Sequence, residues 1–195
     1  MATDPYVYPD TNVLKNLAGI EDPNRLQQFE AVSTAQWVSE LIFHPVPGAF
    51  DAPHLQRIHR HIFQDVYPWA GEFRTVDMRK EGEFWFCRRE FIEQSLIDLF
   101  SKLSGENLLK ATTPEKFGSR AGYYMSELNA IHPFREGNGR AQREFIRELG
   151  LHLGLHVNWA HVTQQEMDSV SKASFQKGDH RFMGDLITRI TTVQM

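Results

Sequence analysis

The sequence predicts a mainly α-helical domain with one β-hairpin, and three observations lead to this fold class. Apolar residues recur at helical spacing through most of the 195 residues. Residues 73–87 instead contain two short β-prone runs around a glycine-containing turn. No repeat, low-complexity tract or linker interrupts the chain, whose length suits one domain, so we expect a single domain over residues 1–195. An isolated hairpin is marginally stable, so this one must lean on the helices.

Composition excludes several classes of protein. The 21 Lys and Arg residues against 25 Asp and Glu residues give a formal charge of −4. Without a basic run, the chain lacks the electrostatic footprint of a nucleic-acid-binding protein. Cys87 is the only cysteine, which excludes an internal disulfide and a cysteine-rich zinc site. No apolar stretch approaches membrane-spanning length and the N-terminus has no signal-peptide pattern, so we expect a cytoplasmic protein without a membrane partner.

The N-terminal part, residues 1–44, is predicted to be an arm followed by a helix. Residues 1–24 are rich in Pro, Asp, Asn and Tyr and form the arm. From Asn24 the apolar positions approach a 3.6-residue period, as shown by Leu26, Phe29, Val32, Trp37 and Leu41. A second helix is predicted after the prolines at 45 and 47, with Asp51 as its N-cap and Pro53 in its first turn.

Helical spacing returns after the hairpin. Phe91, Leu96, Leu99 and Phe100 mark one helix, and Thr113-Pro114 opens the next. A further helix follows the glycine-rich turn at 137–139. Two weaker helices are predicted over 162–175 and 180–193, which makes 162–193 the C-terminal helical part.

Residues 132–143 carry the chemistry that the sequence predicts. The proline after His132 disfavours helical backbone there, so one helix is expected to end near Ile131 and another to begin near Gly139. Residues 137–139 adopt positive φ at low cost, which points consecutive N–H groups into one concavity. The N-terminal end of the following helix adds positive potential, and the turn is therefore predicted to bind an anion.

The charged residues of the same segment indicate a polyphosphate. Arg140 and Arg143 are three apart and leave one face of the first helical turn. Two guanidinium groups beside a backbone anion site suit several phosphates better than one. Glu136 would repel them unless a cation lies between, and Mg²⁺ commonly joins a carboxylate to substrate phosphates. His132 supplies a base that titrates near neutral pH.

Each of these features has a structural alternative when it is taken alone. A Gly-x-Gly is a turn signal, a histidine before proline is usually structural, and two arginines at this spacing usually lie on a solvated face. Their concentration within residues 132–143 favours function. Histidines cluster at 54, 59 and 61 and at 152 and 156, but no third ligand is obvious for the second pair, so packed or solvated histidines are favoured over zinc.

The segment resembles the Fic family, because it fits the pattern H-P-F-x-(D/E)-G-N-G-R-x-x-R at every specified position. A second stretch, from Ile58 to Arg74, resembles the family's lead into its hairpin flap. The resemblance covers about residues 53–160, which would be the core of a single Fic-type domain. The N-terminal arm resembles the small bacterial toxin members of the family.

The resemblance implies a Fic-like helical domain that transfers AMP from ATP to a hydroxyl side chain of a target protein and releases pyrophosphate. It implies that His132 is the base, that Phe134 is a core anchor of the loop and that Glu136 is the Mg²⁺ ligand. The phosphate-binding residues that it implies are Gly137, Asn138, Gly139, Arg140 and Arg143. A nucleoside pocket is expected around Asn158-Trp159.

The hairpin is expected to be a flap on which the target docks by strand pairing. Its candidate docking residues are Glu81, Gly82, Phe84, Trp85 and Phe86, and Lys80 lies where it could also approach the nucleotide. The alternative is that Trp85 or Phe86 folds back onto the core.

The resemblance also implies how the activity is controlled. The family often restrains itself through a helix with (S/T)-x-x-x-E-(G/N), and no glutamate of this chain has Ser or Thr four residues earlier. We therefore expect a separate small antitoxin that supplies the helix in trans, beside residues 24–43. Type II DNA topoisomerase subunits are the target class that the resemblance suggests. Transfer of another phosphate-containing group, and a non-catalytic module that binds an anion or a peptide, are the alternative functions.

Overall fold

The computed structural model describes residues 4–80, 84–110 and 113–193. It confirms a mainly helical fold. The α-helices of the described part are α1 (Pro23–Phe43), α2 (Ala52–Phe63), α3 (Ile92–Gly105), α4 (Pro114–Ile131), α5 (Asn138–His152), α6 (Gln164–Lys177) and α7 (Arg181–Arg189). The strands are β1 (Arg79–Lys80), β2 (Phe84–Trp85), β3 (Leu155–Val157) and β4 (Thr191–Val193).

Side-chain caps and prolines determine where several helices begin. Asp51 accepts a hydrogen bond from the His54 N–H at 2.8 Å, and Pro53 occupies the first turn of α2. Thr113 caps α4 in the same way, through the N–H of Lys116 at 3.4 Å. Both helix starts were predicted from the sequence.

The hydrophobic core lies around α4, which packs against α3, α5, α6 and α7, while α2 packs on α5. Its largest fully buried side chains include Phe63, Phe117, Tyr124, Phe134 and Phe145. Because α4 ends and α5 begins inside this core, the loop that joins them is held between rigid elements. None of the helices within the described ranges is both long and apolar enough to cross a bilayer.

The hairpin exists, but its first strand is shorter and later than predicted. Arg79 pairs with Trp85 and Lys80 with Phe84 in antiparallel register. Residues 73–78 are not a strand, because their backbone groups have other partners. The Arg74 N–H donates to the Pro133 carbonyl at 2.9 Å, for example.

The prediction of a helix over 180–193 is wrong at its C-terminal end. Helix α7 ends at Arg189, and Thr191–Val193 form β4, which pairs antiparallel with β3. The β-branched side chains of Thr191, Thr192 and Val193 favour the extended backbone. The fold therefore has a second two-stranded sheet that the sequence analysis missed.

Two apolar residues that follow the helical spacing lie outside the core. Val32 is 74% exposed on α1, where Thr34 is buried instead. Phe91 is 55% exposed and lies in a short 3₁₀ turn before α3. Thr34 is buried because its hydroxyl has polar partners, namely the Glu30 carbonyl at 2.8 Å and the Arg140 guanidinium.

Candidate active site

His132 lies at the C-terminal end of α4 in the left-handed backbone conformation, with φ 50° and ψ 61°. Its N–H still donates to the Leu128 carbonyl at 2.9 Å, so the residue closes the helix and turns the chain away from it. The imidazole stacks on the Phe86 ring of the hairpin, with centroids 3.8 Å apart and planes 10° apart. The candidate base is therefore in contact with the candidate flap.

The loop after His132 is fixed by hydrogen bonds from buried side chains. Asn138 accepts from the Phe134 N–H and donates to the Phe134 carbonyl, both at 2.8 Å. The Phe134 ring is buried and stacks on His59 with centroids 3.9 Å apart. Phe134 thus lies where a core anchor would lie. The Asn138 side chain is committed to the loop, which leaves its backbone N–H as the group that can face a ligand.

His59 holds the loop from the side of α2. Its Nδ1 accepts the Gly71 N–H at 2.9 Å, so Nε2 carries the hydrogen that is donated to the Glu136 carbonyl at 2.9 Å. Burial lowers the pKa of His59 to about 4, with a smaller lowering from the Arg140 charge, against the bond to Glu136. This histidine is neutral near pH 7 and serves as a structural support.

The N-terminus of α5 has no side-chain cap. Gly137 precedes the helix with φ 78°, and its N–H donates to the Glu136 Oε1 at 2.8 Å. The N–H groups of Asn138 and Gly139 belong to the first turn, which has no intrahelical acceptors. Only Gly137 has the positive φ that was predicted for 137–139, since the other two residues are helical. The anion site is therefore a helix N-terminus with one glycine in front of it.

Arg140 points toward α1. Its guanidinium donates to the Glu30 carboxylate at 2.6 Å and to the Thr34 hydroxyl at 3.1 Å. The Glu136 carboxylate lies 3.6 Å away, and the guanidinium carbon lies 4.6 Å from the Phe63 ring centre. Arg140 is thus already neutralised by a carboxylate from another helix.

The same carboxylate has a second partner. The Tyr67 hydroxyl donates to Glu30, and burial together with this bond raises the pKa of Tyr67. A proton at this position is therefore firmly held. Glu30 and Tyr67 together fix the position of the Arg140 guanidinium.

Arg143 has a different environment. Within the described ranges, no acceptor hydrogen-bonds its guanidinium and no carboxylate forms an ion pair with it. Burial lowers the pKa of Arg143, the Arg140 charge adds to this lowering, and the Asp168 charge opposes it. A half-buried cation without a partner is available to an incoming anion.

Arg143 lines a cleft of about 470 Å³ between α1, α5 and the segment that follows β3. Val38 and Ile42 contribute the apolar wall from α1. Trp159 also lines the cleft and donates from Nε1 to the Arg143 carbonyl at 2.9 Å. The cleft therefore contains the Asn158-Trp159 segment that was predicted to lie near a nucleoside.

Glu136 is half-exposed at the edge of the α5 N-terminus. No group of three metal-ligating side chains surrounds it or occurs elsewhere in the described part of the chain. A single accessible carboxylate fits Mg²⁺, which binds through one or two carboxylates when substrate phosphates supply further oxygens. It does not fit a metal that needs a cage of protein ligands.

The flap residues divide into two groups. Trp85 is 55% exposed and Phe84 is also exposed, whereas Phe86 is only 7% exposed and faces His132. Arg79 lies over the Trp85 ring, 4.2 Å from its centre. The alternative of an aromatic folded onto the core is therefore right for Phe86 and wrong for Trp85.

For several predicted residues, the structure adds little about a role in the site. Glu81 and Gly82 lie outside the described residues, and Lys80 is placed only as the backbone partner of Phe84 in β1. Among the clustered histidines, His54 forms a buried pair with Glu148 at 2.9 Å. This pairing agrees with a structural role.

Several residues that contact the motif were not identified as site residues from the sequence. Glu30 and Thr34 reach Arg140 from α1, and Arg74 reaches the His132 carbonyl at 2.8 Å. Arg74 occurs in the stretch that resembles the family, yet nothing local to it indicates its contacts. Glu30 lies on a helix whose apolar spacing predicted only packing.

The sequence model described as "Fic/DOC family" matches residues 49–149, which include both the motif and the stretch before the hairpin. The protein adenylyltransferase VbhT of Bartonella schoenbuchensis is 41% identical over 98% of this chain, although the chain spans only 40% of VbhT. The probable protein adenylyltransferase y4lH of Sinorhizobium fredii is 41% identical, over 80% of this chain and 79% of its own length.

A solved structure has the same fold. BepC of Bartonella tribocorum, a VirB-translocated effector protein determined with bound AMPPNP, superposes with a TM-score of 0.93 at 32% identity. The superposition covers 97% of each chain. The likeness therefore extends beyond the matched motif to the N-terminal arm and the C-terminal helices.

Proposed function

We propose that this chain, which belongs to the Fic/DOC family, transfers AMP from ATP to a Tyr, Ser or Thr hydroxyl of a target protein. One observation carries the proposal. The candidate base His132 precedes the uncapped N-terminus of α5, and the first turns of this helix carry the Arg143 guanidinium, which has no hydrogen-bond partner in the described part of the chain. Relatives of similar length bear the name adenylyltransferase, and the AMPPNP bound to BepC supports ATP as the donor.

The proposed reaction is an in-line displacement at the α-phosphorus. The target hydroxyl oxygen forms a bond to this phosphorus, and the bond from the α-phosphorus to the bridging oxygen of the β-phosphate breaks. Pyrophosphate leaves with the electron pair of that bond. His132 accepts the hydroxyl proton, a step that typically contributes about 10²–10⁴-fold to a rate.

The proposed phosphate contacts come from the first turn of α5. The backbone N–H groups of Asn138 and Gly139 and the helix dipole stabilise the phosphate charge, and Arg143 binds the end of the polyphosphate. Arg140 stands beside them, already positioned by Glu30. Because these groups are held by helix packing, they need little reorganisation during the reaction.

Glu136 is the proposed ligand of Mg²⁺. When bound, the cation supplies charge neutralisation for the phosphates. The role of the chain is to present one accessible carboxylate next to the phosphate site. The Glu136 carboxylate contacts the Gly137 N–H and the Arg140 guanidinium among the described residues.

The flap is the proposed docking edge for the target. The exposed side chains of Phe84 and Trp85 suit contacts with a partner chain. The Phe86 ring stacks on His132 and so connects the flap to the candidate base. Lys80 is proposed to approach the nucleotide from β1. An extended target segment that pairs with this edge would therefore present its hydroxyl to the base.

Substitution of the base tests the proposal. We expect His132→Ala to abolish transfer and to leave ATP affinity within about threefold, since the imidazole is separate from the phosphate contacts. Isothermal calorimetry measures ATP affinity, and labelled ATP with Mg²⁺ and a bacterial extract measures transfer. His161→Ala, which changes an exposed histidine, is the matched control. AMP transfer retained in His132→Ala would refute the assignment, and phosphate found on the target by mass spectrometry would refute the donor chemistry.

Restraint by a separate protein is the second part of the proposal. We infer that a small antitoxin inserts a helix into the cleft beside α1 and pairs a glutamate with Arg143, which would exclude the γ-phosphate. The Arg143 guanidinium, which has no hydrogen-bond or ion-pair partner among the described residues, and the apolar Val38 and Ile42 of the same cleft support this occupant. The chain would then act as a cytoplasmic toxin, with type II DNA topoisomerase subunits as its candidate targets.

Co-expression tests the restraint. The chain alone should inhibit bacterial growth, and a neighbouring small protein should relieve the inhibition. Replacement of that protein's glutamate by glycine should restore transfer while the complex persists. Inactivity of the isolated chain with ATP and Mg²⁺ would contradict inhibition in trans.

A further inference from the structure

Arg74 lies where the flap meets the motif loop and is only 2% exposed. Its Nε donates to the His132 carbonyl at 2.8 Å, and Nη2 donates to the Ile131 carbonyl at 3.3 Å. Its backbone N–H donates to the Pro133 carbonyl at 2.9 Å. One residue therefore holds three successive carbonyls at the point where α4 ends and the candidate base begins the loop.

The same guanidinium also donates hydrogen bonds to carbonyls on both sides of the hairpin. Nη1 donates to the Val76 carbonyl at 2.6 Å, ahead of β1, and Nη2 donates to the Cys87 carbonyl, after β2. Cys87 is joined to α4 as well, since its N–H donates to the Ala130 carbonyl at 3.0 Å. The preceding residue, Phe86, places its ring on the His132 imidazole.

The chemistry of this contact requires arginine. Its partners are carbonyl oxygens, and no carboxylate within the described ranges forms an ion pair with it. The positive charge is favourable at the C-terminal end of α4, where the last carbonyls lack helical partners. A planar guanidinium serves several carbonyls in different directions, whereas a lysine ammonium at the end of a flexible stem does not.

The backbone of His132 makes precise support necessary. The residue is in the left-handed region, which costs a non-glycine residue free energy, and a change in its ψ would swing the imidazole. Arg74 binds the carbonyl that this torsion rotates. It also binds the carbonyls of Val76 and Cys87, which flank the hairpin that places Phe86 on the His132 ring.

We propose that Arg74 is a positioning residue of the transfer reaction, which keeps His132 and the target-docking flap in one fixed arrangement. The inference rests on the proposed function, because the base and the flap are assigned there. Arg74 touches none of the proposed phosphate contacts at the start of α5. Its loss should therefore lower kcat for protein modification and leave ATP binding nearly unchanged.

The experiment compares Arg74→Lys and Arg74→Met in the full chain with Arg57→Lys as the matched control. Arg57 is exposed on α2, and among the described residues its guanidinium binds the Pro47 carbonyl alone. We expect Arg74→Lys to lower kcat by about 10²-fold, the loss typical of a small misplacement of reacting groups. ATP affinity by calorimetry should stay within about threefold of the wild type, and Arg57→Lys should change neither quantity.

Three outcomes would overturn the proposal. The first is a folded Arg74→Lys variant whose kcat stays within about threefold of the wild type. The second is a variant whose ATP affinity falls as much as its kcat. The third is an Arg74→Lys variant that does not fold, because the role of Arg74 would then be structural. The wild-type chain is assayed first on the same target. If it transfers no AMP, the proposed function fails; if it transfers AMP and Arg74→Lys does too, the inference about Arg74 fails alone.

Discussion

Gly137→Ala tests whether the turn before α5 depends on the absence of a side chain. Gly137 has φ 78°, a left-handed conformation that costs an L-residue about 1–2 kcal/mol. A Cβ there would lie 2.1 Å from Phe63 Cζ. Phe63 is fully buried and its ring stacks against His59, so it cannot move aside freely. Overpacking of this kind typically costs a further ~1–3 kcal/mol.

The expected loss is therefore about 2–5 kcal/mol of unfolding free energy in Gly137→Ala. Gly154→Ala is the matched control, because Gly154 has φ 72° and its Cβ would meet nothing within 4 Å. That variant should lose only the conformational part, about 1–2 kcal/mol. The difference between the two variants measures the contact with Phe63.

Urea unfolding followed by circular dichroism at 25 °C gives both values from the shift in midpoint and the m-value. ATP calorimetry on the folded variants adds the functional consequence. Gly137→Ala should weaken ATP binding, since a shift of this turn displaces the first N–H groups of α5, and Gly154→Ala should not. A Gly137→Ala variant no less stable than Gly154→Ala would refute the reasoning from the close contact.

Two further predictions concern the supports of the loop. Because burial lowers the folded-state pKa of His59 to about 4 from 6.5, its unfolded state binds more protons between these values, so the stability present at pH 7 is lost as pH falls from 6.5 to 4. Between pH 7 and pH 4.5, the free energy of unfolding of His59→Gln should therefore fall less than that of the wild type, by up to about 3 kcal/mol, as urea unfolding at each pH measures. An equal dependence on pH in both proteins would exclude this contribution of His59. Phe86→Ala should cost about 3–5 kcal/mol because its ring is buried against His132, whereas Trp85→Ala on the exposed side should cost under about 1 kcal/mol. Equal losses by urea unfolding would contradict the burial of Phe86.

The helices could be predicted because their signals are local. Asp51 and Thr113 cap the helices they precede, and apolar spacing within each helix records the side that packs. Strand β4 could not be predicted in this way, since its partner β3 lies more than 30 residues earlier in the chain. The hairpin was placed too early because residues 73–78 look like a strand but give their hydrogen bonds to the motif loop and to the arm. The Thr75 N–H, for example, donates to the Tyr6 hydroxyl at 3.0 Å.

In the candidate site too, the contacts between residues close in sequence were predictable and the distant ones were not. His132, Glu136 and the glycine turn are close in sequence, so their grouping was visible without coordinates. Arg74 contacts the His132 carbonyl across 58 residues, and Glu30 contacts Arg140 across 110. A bond from a side chain to a distant backbone carbonyl leaves no pattern of residue types, because every residue has a carbonyl. The support of the site was therefore not predictable from spacing.

The two motif arginines have different surroundings in the fold, although the sequence treats them alike. At a spacing of three they are equivalent in the sequence, and both were expected to bind phosphate. In the fold, the Arg140 charge is offset by Glu30 at 2.6 Å, whereas Arg143 has no ion-pair partner within the described ranges. A phosphate at Arg140 must share the guanidinium with the carboxylate that already binds it. A phosphate at Arg143 does not share the guanidinium with a carboxylate of the described residues. The Arg143 side chain is also half-buried, and charge pairing is stronger there than in water. The attraction for an anion is therefore concentrated at Arg143, and a competing carboxylate from another protein would have the largest effect at the same residue.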